Sequence, residues 1–282
     1  MTEIPNAGYL ELGICLEFGI WNLVLSRMGI HTADAIVLRQ YPYRETSALV
    51  TCLTDRFGKI KGIIKGLRAP QSSRYRSAME PLTLNRIVFY DTRTSTLHLI
   101  SQCDLISAFP ALVHDLDLIH LATFCAELID ALVELDEPHA PIFELLKGTF
   151  ERLSTGAVEP MATRIHFVLR LLRLVGFQPQ LDECTGCGQY PQDHRAFWSA
   201  RQGGLLCAQC LHEDPKAEEI PSSLLEALTS CAELEEPREL DVHQATAIQQ
   251  RLDEFLRWRL ERPLKTMKTL RSYYSLFQHP RR

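Results

Sequence analysis

Four cysteines fall in two pairs, Cys184-Thr185-Gly186-Cys187 and Cys207-Ala208-Gln209-Cys210, with nineteen residues between Cys187 and Cys207. That spacing is typical of a four-cysteine zinc site. Two thiolates on one tight turn cover two corners of a tetrahedron, and a second turn supplies the other two. Gly186, Gly188, Gly203 and Gly204 relieve the backbone where it must wrap round an ion. With all four corners taken by protein, no position is left for water or substrate, so the expectation is one structural zinc per chain. Chance pairing, a redox couple or a site that has lost its metal are the competing readings.

A second cluster is basic. From Arg56 to Met79 there are seven basic residues and no acidic one. Lys59, Lys61, Lys65, Arg68, Arg74 and Arg76 are the candidate phosphate contacts, with Arg39 on an adjoining strand and Tyr75 as a stacking surface for a base. A solvated loop with incidental charge explains the same composition. The elements that carry these residues read as β-strands: Ala35–Arg39, Ala48–Leu53, Lys59–Ile64, Leu82–Tyr90 and Thr96–Gln102, with turn material at Tyr41-Pro42-Tyr43-Arg44, at Asp55-Arg56-Phe57-Gly58 and at 91–95. Five short strands with a long excursion between the third and fourth suit a barrel of OB type. An SH3-like barrel gives nearly the same pattern.

From Phe109 the period is helical, with helices expected over Leu112–Leu135, Ile142–Leu153, Pro160–Val175, Pro221–Cys231 and Val242–Leu260. The cysteine segment, 181–214, interrupts them and should hold a short hairpin around Phe197-Trp198. Arg164, Arg170 and Arg173 lie on the third helix, either as a solvated stripe or as a continuation of a nucleic-acid path. Ten acidic residues between Glu213 and Asp241 are either a protein-docking surface or a solvated connection. The expected architecture is α+β and multidomain. Residues 1–30 form an extension outside the fold or a helix packed on it, 31–108 the barrel, and 109–282 a helical domain with its zinc-ribbon-like insertion.

The net charge is −5, with 46% hydrophobic and 23% charged residues, so local patches matter more than the sum. Unpaired cysteines beside the two CxxC pairs fit a reducing, cytoplasmic compartment. The apolar run Leu12–Leu25 contains Glu17 and is short for a membrane span. Walker, GxSxG, HExxH and Rossmann signatures are absent, and nothing in the sequence argues for an enzyme.

Several segments stand out by their order and spacing. They are Ala33-Asp34-Ala35-Ile36-Val37-Leu38-Arg39, Tyr43-Arg44-Glu45-Thr46-Ser47, Thr54 to Lys59, Lys65-Gly66-Leu67-Arg68 and Glu80-Pro81-Leu82. Further along come Ala126-Glu127-Leu128-Ile129-Asp130, Leu174-Val175-Gly176-Phe177, the two CxxC pairs and Arg262-Pro263-Leu264-Lys265. Together they resemble the RecO family of recombination and DNA repair proteins, over roughly residues 33–277. The resemblance implies an OB barrel, a helical domain and binding of single- and double-stranded DNA. It also implies strand annealing and loading of recombinase onto strands covered by single-strand-binding protein, with RecR as partner, in the bacterial cytoplasm beside the nucleoid. Where relatives often carry a run of Arg or Lys after the third strand, this chain reads Leu67-Arg68-Ala69-Pro70-Gln71. A protein-interaction adaptor without direct DNA binding is the alternative function.

Overall fold

The computed structural model describes residues 29–67, 78–91, 96–156, 158–189 and 195–267. Its N-terminal part is a closed barrel of five strands, β1 Gly29–Tyr43, β2 Ser47–Thr54, β3 Gly58–Ile64, β4 Leu84–Asp91 and β5 Leu97–Ser107, hydrogen-bonded in the order β1-β2-β3-β5-β4. The length of β1 makes closure possible. Its first half pairs antiparallel with β4 and its second half with β2. β3 and β5 meet in parallel. This five-stranded Greek-key closure is of the OB type, and it sets aside the SH3-like alternative.

Side-chain alternation builds the barrel core. Ala33, Ala35 and Val37 pack inside with Ala48, Val50 and Cys52 of β2 and with Ile60, Ile87, Phe89 and Ile100. A register shift between Val37 and Arg39 then adds one residue to β1. Such a bulge reverses which face later side chains take. Leu38 joins Ile36 in the core shared with the helices. Arg39 and Tyr41 fall opposite Thr51 and Leu49, not opposite the inward-facing Val50 and Ala48. Simple alternation from Ala35 and Val37 would have turned both into the barrel. Residues 41–43, expected as a turn, are the end of β1.

Among the described residues six α-helices follow: α1 Pro110–His114, α2 Leu116–Leu132, α3 Ala140–Thr155, α4 Pro160–Leu174, α5 Ser222–Glu233 and α6 Val242–Arg259. The first expected helix is thus two. Asp115 interrupts it in an extended conformation, and its carboxylate accepts the Asp117 and Leu118 N–H groups at 2.8 and 3.3 Å. That is an N-cap, which starts a new helix in place of continuing the old one. α4 is the central helix, buried at ten of its fifteen positions. Ile36, Leu38, Leu53, Leu82 and Leu84 of the barrel share one core with Phe124, Leu128, Phe150 and Phe167 of the helices.

The cysteine segment forms a four-stranded sheet, with β6 Gln180–Cys184, β7 Ala196–Ser199, β8 Gly204–Cys207 and β9 Glu218–Ile220 in the order β6-β8-β7-β9. Alternation along β7 gives it two faces. Trp198 packs with the helices, its ring 6.0 Å from Phe255, and Phe197 packs beside Cys184 and Cys210. Elsewhere Cys52, Cys103, Cys125 and Cys231 are buried free thiols. Burial pushes the Cys103 thiol up to about 11, which leaves it protonated and unreactive. Among the described residues no helix is long and apolar enough to cross a membrane.

Candidate nucleic-acid interface and metal centre

The ends of two strands bring the four cysteines together. β6 ends at Cys184 and β8 at Cys207, with Cys184 opposite Leu205 in the parallel pairing. Each strand then turns tightly and delivers a second cysteine: Gly188 N–H donates to Cys184 O at 2.8 Å, and Cys210 N–H to Cys207 O at 3.1 Å. All four Sγ atoms lie within 4.8 Å of one another, and Cys187 and Cys207 are 3.9 Å apart. Sulfurs at the corners of a tetrahedron with metal–sulfur bonds of about 2.3 Å would be about 3.8 Å apart. The donor set therefore fits a tetrahedral ion. A Cβ on Gly186 would sit 3.0 Å from Cys210 Cβ and 3.1 Å from its Sγ, so glycine lets the knuckle close without displacing Cys210. Burial raises the Cys184 thiol, but the N–H groups of Cys207, Cys187 and Gly186 outweigh it and bring it to about 7. His212 Nδ1 is engaged at 2.9 Å by Gln209 O and stands outside the cluster.

The basic face is built on β3, where Lys59, Lys61 and Ile63 face outward. The surroundings of the two lysines differ sharply. Lys61 is exposed, as is Lys65 just beyond the strand. Lys59 is only 6% exposed. Its Nζ donates to the Asp130 carbonyl at 2.7 Å and lies 3.5 Å from the Asp130 carboxylate. Burial, reinforced by the charges of Lys61, Arg39 and Arg262 and opposed by Glu134, pulls its ammonium down to about 8. Lys59 is therefore a tie between barrel and helix, unlike the exposed Lys61 and Lys65. The cause is local. Gly58, at φ +67, lies so close to Glu137 that any Cβ would overlap that residue's carbonyl, and Asp136 N–H donates to Lys59 O at 2.9 Å. β3 enters the barrel pressed against the loop after α2.

Arg39 pairs with the other oxygen of the same Asp130 carboxylate and keeps 29% of its side chain exposed. Arg68, Arg74, Tyr75 and Arg76 lie outside the described residues. The second set of arginines does not form a path. Arg164 is buried, paired with Asp253 at 2.5 Å and stacked 4.3 Å from the centre of the Phe124 ring. Arg170 grips both oxygens of Glu235 at 3.0 and 2.7 Å. Only Arg173 of the three is exposed.

Sequence reasoning overlooked two acids on α2. Glu127 accepts the Lys265 and Thr266 N–H groups at 2.8 and 2.9 Å, together with the Thr266 hydroxyl at 2.7 Å. Asp130, one turn on, holds Arg39 and Lys59 and lies 4.0 Å from Arg262. Their i,i+3 spacing is the signal, since it puts both carboxylates on one helix face.

Residues 28–109 match the family described as Recombination protein O N terminal, and residues 113–268 the one described as Recombination protein O C terminal. The chain belongs to the RecO family. It is 34% identical over 184 residues to DNA repair protein RecO of Desulfitobacterium hafniense (strain DSM 10664 / DCB-2), a match spanning 65% of this chain and 65% of that relative. It is 35% identical over 193 residues to DNA repair protein RecO of Anaeromyxobacter sp. (strain K), covering 68% of this chain and 75% of the relative. With the protein of the same name from Desulforamulus reducens it shares 28% over 251 residues, 88% and 96% of the two chains. The segments that Glu127 and Asp130 draw together, α2 and residues 262–266, both fall within the matched C-terminal RecO region.

Proposed function

We propose that this RecO-family chain is a non-enzymatic DNA-binding protein of repair and homologous recombination. In this reading it anneals single strands and helps load recombinase onto DNA covered by single-strand-binding protein, with RecR as partner. Residues 31–108 hold the DNA, and 109–282 organise the chain and its partners. The observation that carries the reading is the exposure of Lys61 and Lys65 on and just after β3 of an OB-type barrel, in a stretch without acidic residues. The face formed by strands 2 and 3 is where barrels of this type receive oligonucleotides. Arg68, Arg74 and Arg76 extend the same run in sequence, with Tyr75 as a stacking residue. The four cysteines hold one structural zinc, which staples the small sheet to the helices and supplies no chemistry. Double-stranded DNA is a further ligand through the same phosphate contacts, and the work is done in the cytoplasm beside the nucleoid.

Electrostatic binding gives the test. For a single strand, each neutralised phosphate contributes about −0.7 to the slope of log affinity against log salt. Anisotropy titrations of a labelled oligonucleotide at several salt concentrations should show a clear negative slope. Lys61→Ala, Lys65→Ala and Arg68→Ala combined should flatten it by about two. An unchanged slope with undiminished annealing would remove the DNA from this face. Absence of nuclease and ATPase activity with magnesium is expected alongside.

A further inference from the structure

The bulge in β1 leaves a surface beside the basic strand that the DNA reading above does not use. Arg39, Thr51 and Lys61 form one outward row across β1, β2 and β3, and Tyr41, Leu49 and Ile63 form the next. Leu49 and Ile63 are half-buried, and Tyr41 is 50% exposed. An aromatic ring above a small apolar floor, flanked by a row with two cations, has the make-up of a base-stacking platform. Tyr41 is the exposed aromatic of these rows, at the loosely packed end of β1.

The helical domain adds a second edge. Glu127 fixes the backbone at Lys265 and Thr266, which lays residues 262–266 along α2 next to the barrel. Arg262 comes within 4.0 Å of the Asp130 oxygen that also takes Arg39, and 69% of its side chain is exposed. Asp130 is itself only 9% exposed, so the carboxylate lies beneath cations that face solvent. The Arg39 guanidinium beside the Tyr41 hydroxyl holds the phenol below its ordinary value. Burial opposes this, and the charges of Arg39, Lys265 and Arg262 add to it. Tyr41 is thus within the field of cations from both domains.

We propose that Tyr41 stacks on a base of a single strand whose phosphates run from Lys61 on β3 to Arg262 and Lys265, so that the strand crosses the seam between barrel and helical domain. The inference rests on the DNA-binding reading and adds its path. A strand held this way touches both domains at once, and the site exists only when residues 262–266 are docked on α2. Base edges stay free, because neither stacking nor phosphate contact engages them. A second strand can therefore pair with the bound one, as annealing requires.

The experiment uses the full chain and an oligothymidylate carrying 5-iodouracil. Irradiation should attach the probe to Tyr41, as read by peptide mass spectrometry. Tyr41→Ala should weaken binding by about five- to 150-fold with the salt slope unchanged, because stacking releases no counterions. Tyr41→Phe should restore affinity to within about twofold, since the stacking face is kept. Arg262→Ala with Lys265→Ala should flatten the slope by about 1.4 while leaving attachment at Tyr41 in place. A wild-type chain that fails to bind the oligonucleotide overturns the DNA reading itself. Wild-type binding with attachment elsewhere, or with affinity indifferent to Tyr41→Ala, overturns only this path. Attachment at Tyr41 in the wild type tests the placement even if a variant folds poorly.

Discussion

The cysteine cluster assembles within the 27 residues from Cys184 to Cys210. The carboxylate at the barrel seam, in contrast, gathers Arg39, Lys59 and Arg262 around Asp130 from across most of the chain. In the first region local turns set the geometry, so residue spacing alone announces the site. In the second, the geometry exists only after two domains dock, and residue types alone mislead. Lys59 and Lys61 show the difference most directly. They stand two apart on one strand and face the same side, yet one is buried on an acid and the other is open to solvent.

The largest expected effect tests the self-contained region. Cys187→Ser removes one of four ligands. Structural zinc binding in small domains is worth about 10–16 kcal/mol at neutral pH, and much of it is folding free energy. Metal analysis of reduced, freshly purified protein should find one zinc per chain, and the variant should lose zinc and melt at a markedly lower temperature. Trp198, which packs between the small sheet and Phe255, should report the loosening by fluorescence. A zinc-free wild type with an unchanged melting curve would end the structural-metal reading.

Much of the fold was legible because it follows local rules. The five strands and their order along the chain come from short β-branched runs between turn residues, and α3 to α6 from apolar periodicity with caps. The misses have identifiable causes. The β1 bulge is one extra residue that no alternation pattern announces, and it decides which way Arg39 and Tyr41 face. The break at Asp115 looked like helix surface because a capping aspartate and a solvated one have the same sequence. The burial of Lys59 depends on a partner 71 residues away, beyond the reach of any local pattern. Arg164 shares its helix with Arg170 and Arg173, but an anion on α6 and a ring on α2 draw it into the core.

The docked region should break next. Asp130→Ala leaves Lys59 buried without its carboxylate, and removing one partner of a buried pair typically costs about 3–5 kcal/mol. Urea or thermal unfolding should show a loss of that order. Lys59→Met combined with Asp130→Leu should recover part of it, because an apolar pair needs no desolvated charge. Equal stability of Asp130→Ala and wild type would mean that Arg39 and Lys59 are held by packing alone. The seam would then not be an electrostatic joint.

Lys59 also gives the comparison a pH dependence. Its folded value, about 8, lies below the ordinary 10.5 because burial disfavours the ammonium. Between these values the unfolded chain binds more protons than the folded one, so this group makes stability rise with pH across that window. The burden is fully present below about pH 8 and gone above about 10.5, and it is worth at most about 3 kcal/mol. Lys59→Met removes the titration. The difference in unfolding free energy between wild type and variant should therefore shift in favour of wild type from pH 8 to 10, and a pH-independent difference would show that Asp130 compensates the burial in full.

The smallest effect concerns the acidic connection after α5, where a protein-docking surface and a solvated linker are competing readings. Two of its carboxylates are engaged within the chain. Glu235 forks Arg170, Glu236 meets Arg152 at 2.6 Å, and the Glu235 carbonyl lies 2.9 Å from His166 Nε2. Both acidic side chains are largely exposed, at 77% and 72%, and exposed pairs of this kind are worth about 0–1 kcal/mol. Glu235→Gln and Glu236→Gln together should lower stability by less than about 1 kcal/mol each and leave the DNA salt slope unchanged. They should also leave capture of RecR and of single-strand-binding protein unchanged, because these acids answer the cations of α3 and α4. Loss of capture in a stable variant would instead make this connection a docking surface, and the intramolecular pairs would then be the resting state that a basic partner displaces.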